Sequence, residues 1–342
     1  MAEKLNEAVG TTAVFVTGGM PGAQQTFAKH CGESSRVWNL VPKGKSSGFG
    51  AGAGEDMDAG STDLERDNTF GWIGDIYITM EDGQSLSGGA ATAKARNAVV
   101  LPLCGQLQDA LCKPEFVTDL QWSSLSDPEH SVAVVLEIVK EYQHTPAAIA
   151  KRLRSELGHA STVVCMMGGQ TLSRAGTEQL VKAIAAKLFE GVVGSTAVFV
   201  TEGIPGVQKI FAEQCHDHSR VLNLLHTGQS CGYQRGTHRI LCKDESERQE
   251  VFGLIGDIYI TVEGGPGVSQ EANAAHARNA VVLPLMRTGG ASSGMFSFPP
   301  GALQKPASIK EEQWSLLKNK DTPVEEAAAA VAEIVKMLAF PP

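Results

Sequence analysis

Short, almost wholly apolar runs alternate along this chain with stretches whose apolar residues recur at helical spacing. Such runs lack the every-other-residue polarity of a half-exposed strand. They predict strands buried on both faces of a parallel sheet, joined by covering helices. The second half of the chain shows this best. VVCMMGG (Val163–Gly169) reads as a strand ending in a Gly turn, with a helix over Thr177–Phe189. TAVFVT (Thr196–Thr201) is a strand, and Val207–Cys215 the helix after it. RVLNLL (Arg220–Leu225) is a strand and Glu245–Gly253 is helical. Asp257–Val262 is a strand and Gln270–Arg278 a helix; Ala280–Leu285 is a strand and Val324–Leu338 the closing helix.

The chain repeats itself, and a repeat must be recognised before the fold is read. TAVFVT at Thr12–Thr17 recurs at Thr196–Thr201, each copy followed by Pro-Gly (Pro21-Gly22, Pro205-Gly206). RVWNL (Arg36–Leu40) recurs as RVLNL (Arg220–Leu224), and FGWIGDIYIT (Phe70–Thr79) as FGLIGDIYIT (Phe252–Thr261). ARNAVVLPL at Ala95–Leu103 returns unchanged at Ala277–Leu285, and QWSSL (Gln121–Leu125) as QWSLL (Gln313–Leu317). Matches in the same order indicate a tandem duplication. The expected organisation is a first copy over residues 1–142, a linker helix over 143–160 and a complete copy over 161–342. Each copy should be a Rossmann-like three-layer α/β/α unit with a parallel sheet. The first copy opens with AEKLNEAVG, which resembles AAKLFEGVVG inside the second copy's first helix, so it should lack its N-terminal strand. Either the chain is a processed product, or this copy has lost an edge of its sheet.

Composition agrees with two globular domains. At roughly 100–200 residues per domain, 342 residues make two, and 42% hydrophobic against 20% charged residues argues against disorder. The net charge of −9 disfavours non-specific nucleic-acid binding, because the one dense basic cluster is Lys151, Arg152 and Arg154. No apolar run approaches the roughly 18 residues a membrane span needs, and Met1–Glu7 has no secretory apolar region. Seven cysteines without a CxxC pair point to free thiols in a reducing compartment, with the cytoplasm the expected location.

Ligands of parallel α/β sheets bind beyond the carboxyl ends of the strands. The most informative such place is Tyr259–Glu271 (YITVEGGPGVSQE), a strand running into Gly264-Gly265-Pro266-Gly267 and then a helix. Glycines let backbone N–H groups approach an anion, and the helix N-terminus adds positive potential. Glu271 falls in the expected first turn, and Arg248 precedes the motif on the preceding helix. Arg287-Thr288-Gly289-Gly290, after the last strand, offers a second phosphate cradle that the first copy lacks. In the first copy the motif region reads Glu81-Asp82-Gly83-Gln84-Ser85-Leu86-Ser87-Gly88-Gly89: Arg66 stands for Arg248, but Gly89 stands for Glu271.

These residues resemble the LOG ("Lonely Guy") phosphoribohydrolases, once called lysine-decarboxylase-like, within the SLOG superfamily. That family carries PGGxGTxxE preceded by an Arg in MxxRK. Gly264, Gly265 and Gly267 match the glycines, Glu271 the Glu, Arg248 the Arg and Asp257 the acid opening the next strand. Gly168 and Gly169 match the first strand's Gly turn. Three positions depart: Glu263 stands for the motif Pro, Val268 for its Thr, and Gln249 for the Lys. The resemblance implies binding of a small nucleotide, without metal or other cofactor, by the second copy. It also implies hydrolysis of the N-glycosidic bond of a nucleoside 5′-monophosphate, with Glu271 stabilising the oxocarbenium-like centre and Arg248 holding ribose or phosphate charge. SLOG-type domains also act as nucleotide sensors, as in melastatin-type TRP channels, so a non-catalytic sensor or structural part of a larger assembly is the alternative. Family dimers suggest an intramolecular pseudo-dimer, with Ala272, Ala275, His276 and Asn279 as a face suited to close helix approach.

Other clusters read as structure. Cys215-His216-Asp217-His218 suggests metal, but His residues two apart do not share a helix face, and a helix end is the better reading. Gly44–Gly60 lacks GxxxxGK[ST] and reads as a flexible linker. Arg96-Asn97 and Arg278-Asn279 should cap or brace the sheet.

Overall fold

The computed structural model describes the chain apart from residues 81–87, 97, 104–110, 159–161, 192–196 and 340–342. It divides into two units, Met1–Thr145 and Pro146–Pro342. The stretch Glu81–Ser87 of the first copy's motif and Asn97 lie outside the described residues.

In the first unit, helix α1 (Ala2–Val9) leads to strand β1 (Phe15–Thr17), α2 (Ala23–Lys29), β2 (Val37–Val41) and β3 (Glu55–Asp58). Then come α3 (Asp63–Ile73), β4 (Ile76–Thr79), α4 (Gly88–Ala95), β5 (Val99–Pro102), α5 (Asp119–Ser124) and α6 (Ser131–Tyr142). Helix starts are written in the sequence: Thr62 caps α3 by accepting from the Glu65 N–H, and Thr118 forms a capping box with Gln121 on α5. The strands form two separate parallel sheets, β1-β2-β3 and β4-β5. Strand β3 lies within the segment read from sequence as a flexible linker. Its polar sequence EDMD hides it from a hydrophobic pattern, as suits a largely exposed edge strand. Asp56 secures the preceding turn by accepting from Ser46 and Ser47.

The second unit runs through α7 (Pro146–Leu157), β6 (Val163–Gly168), α8 (Thr177–Gly191), β7 (Val198–Thr201), α9 (Val207–Gln214), β8 (Val221–His226) and β9 (Thr237–Cys242). It continues through α10 (Glu245–Ile255), β10 (Ile258–Val262), α11 (Pro266–Ala277), β11 (Val281–Pro284), α12 (Glu311–Lys318) and α13 (Val324–Ala339). One parallel sheet results, ordered β11-β10-β6-β7-β8-β9. Strand β6 is buried throughout and alternates between two cores. Val164 and Met166 join the cluster of α8, α9 and α13, while Val163, Cys165 and Met167 join that of α7, α10 and α11. Helix α7, from the segment read as a linker, therefore packs into this unit through Ile149, Ala150 and Leu153. Asp257 anchors it, accepting from Arg154 at 2.9 Å and from the Val163 N–H at 2.8 Å.

This topology corrects one expectation. The second unit's first strand lies between β10 and β7, so a copy without it loses the middle of its sheet rather than an edge. Among the described residues, the first unit's strands form one three-strand and one two-strand sheet.

Matching local bonds recur in the two units. Arg96 donates to the carbonyls of Gly71 and Gly74, and Arg278 to those of Gly253 and Gly256. Thr17 donates to Asn39 at 2.8 Å and Thr201 to Asn223 at 2.6 Å. Among the described residues, no helix is long and apolar enough to cross a membrane.

Candidate functional site

At the carboxyl end of β7 the chain turns through Glu202, which faces Arg248, the residue that closes the first turn of α10. Asp244 caps α10 by accepting from the Glu247 N–H at 2.9 Å, which fixes the helix phase that carries Arg248 inward. Arg248 Nε donates to Glu202 Oε1 at 3.0 Å, Nη1 to Gln229 Oε1 at 2.9 Å and Nη2 to Glu245 Oε1 at 3.4 Å. Gln208 and Gln229 close the cluster. Gln208 Nε2 donates to Glu202 Oε2 at 3.1 Å, its Oε1 accepts from the Glu202 N–H, and Gln229 Nε2 donates to the Glu202 carbonyl.

Glu271 joins the same cluster from α11. The sequence placed it in a first turn beginning at Gln270, but α11 begins at Pro266, whose fixed φ and missing N–H suit the first helical position. Glu271 therefore lies in the second turn. Glu202, Arg248 and Glu271 are 1%, 3% and 4% exposed. Burial pushes the Glu271 carboxyl well above the ordinary glutamate range; the Glu202 charge and their shared hydrogen bond add to this, and Arg248 opposes it. Burial raises Glu202 too, but Arg248 against it favours its ionised form. Of the two, Glu271 is raised further. Its Oε2 is buried without a hydrogen-bond partner.

Glu202 escaped the sequence reading. A signal was present: TAVFVT is followed by Glu202 in one copy and Gly18 in the other. The first copy thus has glycine at both carboxylate positions, Gly18 and Gly89. Its Arg66 bonds Asp67 and Asp63 instead.

The glycine motif is arranged differently from the expected cradle. Glu263 adopts a left-handed φ of 52°, and Gly264 continues the turn at 91°. The Glu263 carboxylate reaches back to the head of α8. There it accepts from the Ser173 N–H and hydroxyl (both 2.7 Å), the Arg174 N–H (3.1 Å) and the Thr177 hydroxyl (2.7 Å). Burial opposes ionisation, but these bonds outweigh it and hold the carboxyl below its ordinary range. A nest of N–H and hydroxyl donors at a helix N-terminus, suited to an anion, is thus filled by the protein's own carboxylate.

The segment after β11 is built onto this turn. Glu263 N–H donates to Thr288 Oγ1, Ser292 Oγ donates to the Glu263 carbonyl, and Ala291 N–H donates to the Gly264 carbonyl. A Cβ at Gly290 would come within 2.6 Å of the Gly264 carbonyl oxygen, so only glycine fits that approach. Gly289 lies under the Arg174 guanidinium, and Gly168 against Val207. Val268 packs on Gly264. Gly265 caps α11 and borders open space, while Gly267 sits beside Gln249. Arg287 Nη2 donates to the Lys320 carbonyl at 3.0 Å, and its own carbonyl accepts from Arg174. Arg174, Thr177, Arg287, Thr288 and Lys320 line a cavity of about 220 Å³. Arg287 Nη1 is buried without a partner.

No family model matches the chain, and no curated protein matches it. Among solved structures it is similar to the structural-genomics target TM1055, with a TM-score of 0.33 at 17% identity over 38% of this chain and 78% of that one. It is also similar to DNA processing protein A of Helicobacter pylori, described by its single-stranded DNA binding mode. That match has a TM-score of 0.30 at 15% identity over 37% of this chain and 66% of the other.

The remaining expectations resolve locally. Ala272 and Ala275 are buried in the second unit's own core with Phe252 and Ile255, so they are not a free docking face; His276 and Asn279 are exposed. At Cys215–His218, the Cys215 thiol donates to the Phe211 carbonyl, Asp217 accepts from Ser219 and His218 meets Arg235. No metal-holding group occurs among the described residues.

Proposed function

We propose that the second unit binds a nucleotide or nucleotide-derived ligand at the carboxyl edge of its sheet, and that the first unit does not. The observation that carries this reading is the unpartnered Glu271 Oε2, buried beside the Glu202–Arg248 ion pair. A buried polar atom without a partner is costly, and a ligand hydroxyl or amino group relieves that cost. Paired carboxyls suit the hydroxyls of a ribose. The cavity bordered by Arg174, Arg287 and Lys320 suits a phosphate, with Arg287 Nη1 free to donate. The first copy has glycine at both carboxyl positions, which favours one ligand per chain.

A second reading, hydrolysis of a nucleoside 5′-monophosphate to base and ribose 5-phosphate, is favoured by one observation. The two carboxyls differ in their surroundings: Glu202 lies 3.0 Å from Arg248, while burial and the Glu202 charge push the Glu271 carboxyl further up. A leaving base needs a carboxyl that keeps its proton, which suits Glu271, and an oxocarbenium-like sugar an ionised one, which suits Glu202. This exchanges the role that the family resemblance gives Glu271, from charge stabiliser to proton donor. Similarity to the LOG family points to the same reaction, and the replaced motif positions Glu263 and Val268 point to binding without turnover.

Both readings are tested by incubating the full chain with AMP, GMP, CMP and UMP in turn. Binding is followed by calorimetry and free base by chromatography. Binding without base makes the protein a sensor. Base release that Glu271→Gln abolishes, while binding stays within about tenfold, makes it a hydrolase. Neither binding nor release removes both readings and leaves a structural role.

A further inference from the structure

The carboxyl cluster and the cationic cavity of the second unit stand well apart along the carboxyl edge of its sheet. Glu202 directly follows β7, and Arg287 follows β11 by three residues. In the order β11-β10-β6-β7 these strand ends are separated by three strand spacings, about 14 Å. The two parts also lie toward opposite faces. Leu180 and Val324, which border the cavity, pack in the cluster of α8, α9 and α13. Glu202 instead meets Arg248 and Glu271, carried by α10 and α11, whose apolar residues form the other cluster.

The cavity end is cationic. Arg174, Arg287 and Lys320 line it, and none of its lining residues is acidic. Arg174 and Arg287 donate to the carbonyls of Arg287 and Lys320 rather than to carboxylates. Arg287 Nη1 is buried with no partner. Two carboxylates stand nearby. Glu263 is already held by its own donors at the head of α8, and Asp321, whose charge acts on Arg287, is exposed. A monoester phosphate carries at most about two charges near neutral pH, fewer than the cations around this cavity. A ribose and its own 5′-phosphate are also neighbouring groups. A ligand whose ribose hydroxyls meet Glu202 and Glu271 needs a further link to set a phosphate against Arg287. Side chains along the way are small: Gly169 follows β6, and Gly265, after β10, borders open space.

Building on the nucleotide reading above, we propose that the ligand of the second unit is a nucleoside diphosphate. Its ribose hydroxyls meet Glu202 and Glu271, and its terminal phosphate occupies the cavity of Arg174, Arg287 and Lys320. The second phosphate supplies both the missing reach and the missing charge, and the guanidinium of Arg287 offers its free Nη1 to a phosphate oxygen.

The test is calorimetric titration of the full chain with AMP, GMP, CMP and UMP beside the four matching diphosphates. The diphosphate of the preferred base should bind roughly tenfold more tightly than its monophosphate, at one per chain. Lys320→Met and Arg287→Met should each reduce that ratio to about threefold or less. Lys320 is exposed, so its variant should keep the wild-type melting temperature. Lys336→Met removes an equal charge from the last turn of α13 and should leave the ratio unchanged, which separates contact from net charge. Equal affinity for the two series overturns the proposal and leaves the nucleotide reading standing. A diphosphate preference that survives Lys320→Met and Arg287→Met together also overturns it, because the second phosphate then lies elsewhere. Two diphosphates per chain do so as well, making the cavity and the carboxyl cluster separate sites. Binding of none of the eight removes the nucleotide reading and the proposal with it.

Discussion

Glu271 is the residue on which the electrostatics of the second unit turn. Its folded-state carboxyl lies above the ordinary glutamate value, chiefly through burial and the facing Glu202 charge. The unfolded chain therefore binds fewer protons than the folded one from about pH 4.3 upward. Stability falls as pH rises from there through the folded value. Glu271→Gln keeps the shape and a donor but cannot ionise, so it should melt above wild type at pH 8 and close to it at pH 4. The shift is roughly 2–4 °C for each kcal/mol relieved, and a pair of calorimetric scans checks it. Arg248→Ala has the opposite effect, because it strands the Glu202 charge in the interior. A loss of about 3–5 kcal/mol is expected in urea titrations, with most of it recovered in the double variant Arg248→Met/Glu202→Gln. Arg248 and Glu271 were legible because a motif fixed their spacing. Glu202 belongs to no motif, and its meaning appears only once the fold carries the end of β7 to α10.

At the scale of elements, the turn between β10 and α11 is held by Glu263, whose carboxylate ties it to the head of α8. Its folded-state carboxyl is lowered, so its contribution is present above about pH 4.3 and is lost as pH falls through the folded value. Glu263→Gln should cost about 2–3 kcal/mol at pH 7, the usual worth of charge-assisted hydrogen bonds. It should cost less at pH 3, again by urea titration. Glu263→Gly relieves the left-handed backbone at this position and vacates the nest, so it should bind sulfate or inorganic phosphate there where wild type does not. Crystals soaked in sulfate would show which. Buried strands were readable from sequence because both faces need apolar side chains. The polar edge strands β3 and β9 carry no such pattern. The early start of α11 was hidden by glycines and a proline that read as loop, although proline favours a helix's first position.

At the scale of the whole molecule, one sequence pattern is built twice with unequal results. Among the described residues, the second unit has a six-strand sheet with helices on both faces, and the first has sheets of three and two strands. Isolated small sheets expose more backbone and bury less apolar surface, so local opening should be easier there. Amide exchange of the free protein should therefore run faster in β1 and β4 than in β7 and β10, despite their shared sequence. The repeated segments were plain in the sequence. The place of β6 between β10 and β7 was not, since strand order in a parallel sheet does not follow chain order. The same inequality extends to the site, because two glycines in the first copy replace two carboxyls in the second. Calorimetric titration of the full chain with AMP, GMP, CMP and UMP tests that claim most directly. The expected result is one ligand per chain, with the heat signal lost in Glu202→Gln/Glu271→Gln and kept in Arg66→Met. Two ligands per chain, binding that survives loss of both carboxyls, or no binding to any of the four would contradict it.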